Sequence, residues 1–182
     1  HRSYETQCRG TAESLNDIRR FVASDVNPKI GKPQLFLAYS EKAAKDVMGV
    51  IRKVLSDYNN TISIIDWELI TTPGNIASQI LRHITQSRFG ICYFSEPVGA
   101  GYDQFQDNPN VLFEAGMLHA RTNSPVGSPM GWIPIREYAS PKLPFDFSQH
   151  RAIIVQRNEE YKFDEVGFEK RLRDMVDALL LQ

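Results

Sequence analysis

Glu114 is the residue of this 182-residue chain whose setting most demands a chemical explanation. The run Asn108-Pro109-Asn110-Val111-Leu112-Phe113-Glu114-Ala115-Gly116-Met117-Leu118 puts one acidic side chain inside an otherwise apolar helix. Asn108 suits the cap of that helix, and Pro109 suits its first position, where a proline forfeits no helical hydrogen bond. Glu114 then falls in the second turn, four residues after Asn110 and four before Leu118, on a face that should turn toward a sheet or its C-terminal edge. A carboxylate held there can stabilise a developing positive charge. The plainer reading is an acid near the positive end of its helix, paired with Arg88 or Arg121.

The elements that must position this residue follow from periodicity. Leu15, Ile18, Phe21 and Val22 predict a helix over Thr11 to Ser24, and Asn27-Pro28 and Gly31-Lys32-Pro33 then read as a linker. Residues 1–32 are therefore taken as an N-terminal helix and linker, and 33–182 as one domain. Gln34 to Ser40 holds four consecutive apolar residues, as a strand covered on both faces does. Ala44, Val47, Met48, Ile51, Val54 and Leu55 predict an amphipathic helix. Thr61 to Asp66 is a second strand, Ile76, Ile80 and Ile84 trace a helix, and Arg88 to Ser95 is a third strand. A loop rich in Gly, Asp, Asn and Gln leads into the Glu114 helix. Strands are expected again at Trp132 to Arg136 and Arg151 to Gln156, and a helix over Asp164 to Leu181 closes the chain. Alternating strands and helices imply a parallel sheet with helices on both faces.

Composition narrows the function classes. Hydrophobic residues make up 42%, charged residues 24% and the formal net charge is -1, as in an ordinary globular domain. Lys and Arg are scattered rather than massed, so nothing marks a nucleic-acid partner. Cys8 and Cys92 lie far apart, and neither they nor the four histidines show metal-ligand spacing, so no metal is expected. Their pattern suits a reducing, cytoplasmic compartment. No segment approaches the ~20 apolar residues that span a bilayer, and no membrane contact is expected. The chain begins with His1 rather than Met, which suggests an excised fragment with a sensor domain or partner chain outside it.

Open parallel sheets bind ligands beyond the carboxyl ends of their strands. That rule selects Tyr39 and Ser40 after the first strand, Asp66 and Trp67 after the second, and Phe94 and Ser95 after the third. Together with Asn110 and Glu114 they offer aromatic faces, hydroxyls and a carboxylate to a flat heteroaromatic ligand bearing a sugar. Each has a bland alternative: Tyr39, Trp67 and Phe94 as packing, Ser40 and Ser95 as caps. No GxGxxG, GxxxxGK[ST] or GxSxG motif follows any strand, and Cys92 in mid-strand is poorly placed for attack. Chemistry would then rest on Glu114, whose carboxylate suits cleavage at an anomeric carbon through an oxocarbenium-like transition state.

Over about residues 33 to 157 the chain resembles a TIR domain of the bacterial NAD-cleaving type. Leu35-Phe36-Leu37-Ala38-Tyr39-Ser40 looks like the family's first box, and Asp66 followed by Pro73-Gly74 resembles its second box and BB loop. Asn110-Val111-Leu112-Phe113-Glu114-Ala115-Gly116 falls on the helix that carries the catalytic glutamate in NAD-cleaving members, and Pro144-Phe145-Asp146-Phe147-Ser148 looks like the nucleotide-binding branch. The Phe-Trp box of animal receptor TIR domains is not evident, which weakens an adaptor role. The resemblance implies a flavodoxin-like, open, five-stranded parallel sheet of the TIR fold. It implies an NAD+ glycohydrolase that releases nicotinamide and ADP-ribose or a cyclic isomer, with no cofactor beyond the substrate. Glu114 would be catalytic, with Tyr39, Ser40, Asp66, Trp67, Phe94, Ser95 and Asn110 binding substrate. Thr72, Pro73, Gly74 and Asn75 would gate the site and join TIR-TIR contacts during self-association, in an antiviral defence against phage. A non-catalytic TIR scaffold or nucleotide-binding signalling module stands as an alternative. So does an enzyme like the nucleoside deoxyribosyltransferases, near fold neighbours that also use a glutamate on N-glycosidic bonds.

Overall fold

The computed structural model describes residues 31–69, 76–99, 101–122, 131–140 and 151–181. The strands are β1 (Gln34–Tyr39), β2 (Ser63–Asp66), β3 (Phe89–Tyr93), β4 (Ser95–Pro97), β5 (Phe105–Asp107), β6 (Gly131–Glu137) and β7 (Ile153–Val155). The helices are α1 (Lys45–Ser56), α2 (Ile76–Gln86), α3 (Pro109–Thr122) and α4 (Glu165–Leu180). Five strands form one sheet in the order β2-β1-β3-β6-β7, every pair parallel, with Leu35 opposite Phe89 and Phe89 opposite Gly131. This is the flavodoxin-like order, whose direction of winding reverses between β1 and β3. The expected N-terminal helix lies outside the described residues. Among those described, no helix is long and apolar enough to cross a membrane.

Strand alternation sorts the core into two layers. Leu35, Leu37 and Tyr39 of β1 join Phe89, Ile91 and Tyr93 of β3 in a core closed by α1 and α4. Phe36 and Ala38 join Cys92, Phe94 and Trp132 on the other face, closed by α3 and by Ile80 and Ile84 of α2. Leu35 to Ala38 are all 0% exposed, so the unbroken apolar run reflects two covered faces.

Close approach of α3 to the sheet depends on Gly90, because a Cβ there would collide with the methyl groups of Leu118. Leu118 is itself buried in the second core. Gly90→Ala should therefore lower stability by about 1–3 kcal/mol, seen as a fall in the urea midpoint at an unchanged slope.

The structure adds an element that periodicity does not show. The third strand ends at Tyr93 rather than Ser95, and the expected loop contains an antiparallel ribbon, β4 paired with β5, Ser95 opposite Asp107. Three-residue strands are shorter than the window in which alternation is readable. The second strand starts at Ser63, not Thr61, because the Thr61 and Ile62 N–H groups turn back to the Tyr58 carbonyl at 2.8 and 2.9 Å.

Candidate active site

Asn108 caps α3 as its sequence suggests, its Oδ1 accepting from the Asn110 and Val111 N–H groups at 2.9 and 3.2 Å. Val111, Ala115 and Leu118 are buried against the sheet, whereas Phe113 is 65% exposed and marks the outer face of the helix. Glu114 lies between these faces, half-buried, while Asn110 one turn earlier is exposed. The two share a stripe in sequence but not an environment. Burial alone pushes the Glu114 carboxyl from its ordinary value up to about 7. Neither Arg88 nor Arg121 offsets it, so the pairing in the plainer reading of Glu114 is not seen. Its charge is felt by Cys92 in β3, whose fully buried thiol is held well above its usual range by burial first and by Glu114 second.

The strand-end residues do not converge on one crevice. Tyr39 points into the core under α1, because Ala38 and not Tyr39 shares the face covered by α3. There its hydroxyl donates to Asp66 Oδ1 at 2.5 Å and accepts from Arg52 Nη2 at 2.6 Å. Arg52 also donates to Asp66 Oδ2 at 3.1 Å and to Glu68 Oε2 at 2.6 Å. The Trp67 indole N–H donates to the Tyr39 carbonyl at 3.0 Å, and the two rings lie 5.6 Å apart. Tyr39, Asp66 and Trp67 thus do meet, with Arg52 and Glu68 as partners that periodicity gives no reason to choose. Burial, then the bond to Asp66, keeps the Tyr39 phenol far above its ordinary range.

Phe94 is 0% exposed and packs edge-on against Trp132, 6.2 Å between centroids, so its ring is core rather than crevice lining. Ser95 is equally buried, its hydroxyl accepting from the Glu137 N–H at 2.9 Å and sharing a 2.7 Å hydrogen bond with Ser140. Ser40 donates to Glu96 Oε2 and accepts from the Lys42 N–H at 3.1 Å and the Asn108 Nδ2 at 3.3 Å. Its proton and both lone pairs are committed to protein groups, which removes it as a free ligand donor. Glu96 is 5% exposed and also accepts from Gln106 and Asn108, each at 2.8 Å. A Ser-Glu-Pro stretch within a predicted loop carries no signal for such a buried acid. Burial pushes the Glu96 carboxyl up, but the bonds from Ser40, Asn108 and Gln106 and the nearby Lys42 outweigh it and hold its pKa below the ordinary value.

Thr72, Pro73, Gly74 and Asn75 lie outside the described residues. Among the described residues, no group of three or more His, Cys, Asp or Glu side chains is placed to hold a metal ion. What the structure leaves on α3 is Glu114, a half-buried carboxyl raised to about 7 by burial and within electrostatic reach of Cys92 in the apolar wall of the second core. Such a group can accept a proton, bind hydroxyls or face a cation.

No protein-family model matches the sequence, and no curated protein matches it. Among solved structures, the chain is similar to a mutant flavo di-iron protein from Thermotoga maritima, at a TM-score of 0.50 and 14% identity over 87% of this chain. A flavoprotein from the same organism aligns over 87% of this chain with a TM-score of 0.45 and 14% identity. The chain spans 38% of the length of each. The first likeness shows the flavodoxin-like fold that the strand order already defines.

Proposed function

We propose that this chain cleaves the N-glycosidic bond of NAD+ and that Glu114 carries the reaction. The observation behind the proposal is a half-buried carboxyl on α3, unpaired with any cation among the described residues, on a helix that packs over β1, β3 and β6 of an open parallel sheet. In NAD+ the pyridinium nitrogen already bears positive charge, so no acid is needed to expel it. The C–N bond breaks toward nitrogen, neutral nicotinamide departs, and the ribose becomes an oxocarbenium ion. Glu114 as the carboxylate holds the ribose hydroxyls and lies opposite that cation. Water then adds at the anomeric carbon and loses a proton, giving ADP-ribose; capture by an adenine nitrogen gives a cyclic isomer instead.

The TIR resemblance supplies the rest of the proposal. Self-association brings the Thr72 to Asn75 loop of one protomer to another's site, a sensor outside this chain triggers it, and NAD+ depletion in the bacterial cytoplasm halts phage. The test is the purified chain with NAD+ under crowding, products identified by mass spectrometry. Nicotinamide with ADP-ribose or its cyclic isomer supports the reading. No turnover even when clustered indicates a scaffold, and base exchange on a free nucleoside with NAD+ untouched indicates a transferase.

The working form is the ionised one, so rate should follow Glu114 ionisation. With the carboxyl raised to about 7, kcat/KM should climb about tenfold per pH unit below that value and level off above it. A flat profile from pH 5 to 8 would remove Glu114 from the chemistry.

A further inference from the structure

The Asn108 amide is used at both ends. Its oxygen caps α3, while its Nδ2 donates to Glu96 Oε2 at 2.8 Å and to Ser40 Oγ at 3.3 Å. An amide turned the other way would set its NH2 against the two backbone N–H groups it now accepts from. Glu96, acceptor-only when ionised, fixes the correct orientation. The neighbouring residue ties the same point to another strand, Asp107 Oδ2 accepting from Arg136 of β6 at 2.9 Å, and the Asn108 N–H reaches the Phe94 carbonyl beyond β3 at 2.8 Å. The start of α3 is thus fastened at β1, β3 and β6 together.

We propose that Glu96, acting through the Asn108 amide, is a positioning residue that sets where α3 presents Glu114. It is not a catalytic residue: its oxygens are taken by Ser40, Gln106 and Asn108, and it is 5% exposed. Glu114 lies six residues along the same rigid helix, about 9 Å from the fastening, so displacement at the cap is carried to the carboxylate. A shift of about 1 Å in a reacting group costs on the order of a hundredfold in rate. The inference rests on the reading of Glu114 as the working group.

The informative variant is Asn108→Asp. It keeps an oxygen for the helix cap but replaces the donor facing Glu96 with a second carboxylate. With NAD+ as substrate, kcat should fall at least about tenfold while KM stays within about threefold, in protein that still unfolds cooperatively. Acidifying should narrow the deficit relative to wild type at the same pH, since one shared proton bridges the two carboxylates. Asn108→Asp combined with Glu96→Gln should restore most of the lost rate, because the amide introduced beside the new carboxylate can donate to it.

A second readout needs no turnover. The 13C titration of the Glu114 side-chain carboxyl should move by about half a pH unit or more in Asn108→Ser, which keeps an oxygen for the cap, removes the donor facing Glu96 and adds no charge near Glu114. If the wild-type chain releases no nicotinamide, the NAD+ reading fails and this titration still decides the positioning role. A kcat unmoved in Asn108→Asp or not restored in the double variant, or a titration midpoint unmoved in the uncharged Asn108→Ser, overturns the inference.

Discussion

Replacing Glu114 by Gln should cut nicotinamide release from NAD+ at least about a hundredfold while making the protein more stable at neutral pH and above. The rate loss corresponds to roughly 3 kcal/mol, the worth of one preorganised electrostatic contact in a dry site. Gln keeps the shape and hydrogen-bonding reach of Glu but cannot carry the charge that an oxocarbenium ion needs. The stability gain comes from the same burial. The folded-state pKa of Glu114 is raised to about 7 from an ordinary 4.5, so the folded chain holds its proton over a range where the unfolded chain has lost it. Below the unfolded pKa both states are protonated and nothing is lost. Stability drains as pH climbs toward the folded pKa, and above it the loss is complete and constant. The advantage of Glu114→Gln over wild type should therefore grow between about pH 4.5 and 7 and plateau at roughly 3 kcal/mol. Urea unfolding of both proteins across pH 4 to 8 measures it. A variant that gained no stability at pH 8 would show that water reaches the carboxyl freely.

Arg157→Met should have the opposite effect on stability, a loss of about 3–5 kcal/mol, because it strands a buried acid. The guanidinium donates to Glu137 Oε1 at 2.8 Å and Oε2 at 3.1 Å, and to Asp46 at 2.7 and 3.1 Å. It also lies 4.6 Å from the centre of the Tyr102 ring. Glu137 is 1% exposed and accepts from the Tyr93 hydroxyl at 2.9 Å, so it cannot turn to water when its cation goes. Burial already pushes the Glu137 carboxyl up, against the Arg157 bonds that pull it down. Without Arg157 it should take a proton, and the loss should shrink toward pH 5. The double variant Arg157→Met, Glu137→Gln should recover part of the loss, and equal instability of single and double variants would show that the rings around Arg157 matter more than its charge.

The sheet and its helices are legible because both signals are strong. Four apolar residues in a row at Leu35 to Ala38 require cover on both sides, and the spacing of Val47, Ile51, Val54 and Leu55 admits only a helix. Asn108 and Pro109 also mark the start of α3 correctly. The site is legible only at the level of strand ends. Which face each side chain takes depends on where α3 docks, and nothing in β1 itself says that Ala38 rather than Tyr39 will meet that helix. Strand ends alone therefore assign Tyr39 and Phe94 to one crevice, when one lies under α1 and the other is sealed against Trp132. Glu96 is hidden for a different reason. Its value lies wholly in long-range partners, Ser40 and Asn108, and its own neighbourhood looks like loop.

Vectorial synthesis meets this strand order awkwardly. β1 is made before the other strands of this sheet, yet it lies inside the sheet and pairs with β3 along one edge, from Leu35 with Phe89 to Tyr39 with Tyr93. Until Tyr93 has emerged, a strand that is apolar on both faces keeps that edge open, and distant parallel pairings form slowly. An uncapped edge of this kind recruits other chains. The nascent protein thus needs shielding over the interval that spans α1, β2 and α2, and chains released within it should aggregate. Glu114 acquires its apolar wall only after that interval ends, so a half-made copy cannot carry the tuned carboxylate of the finished one.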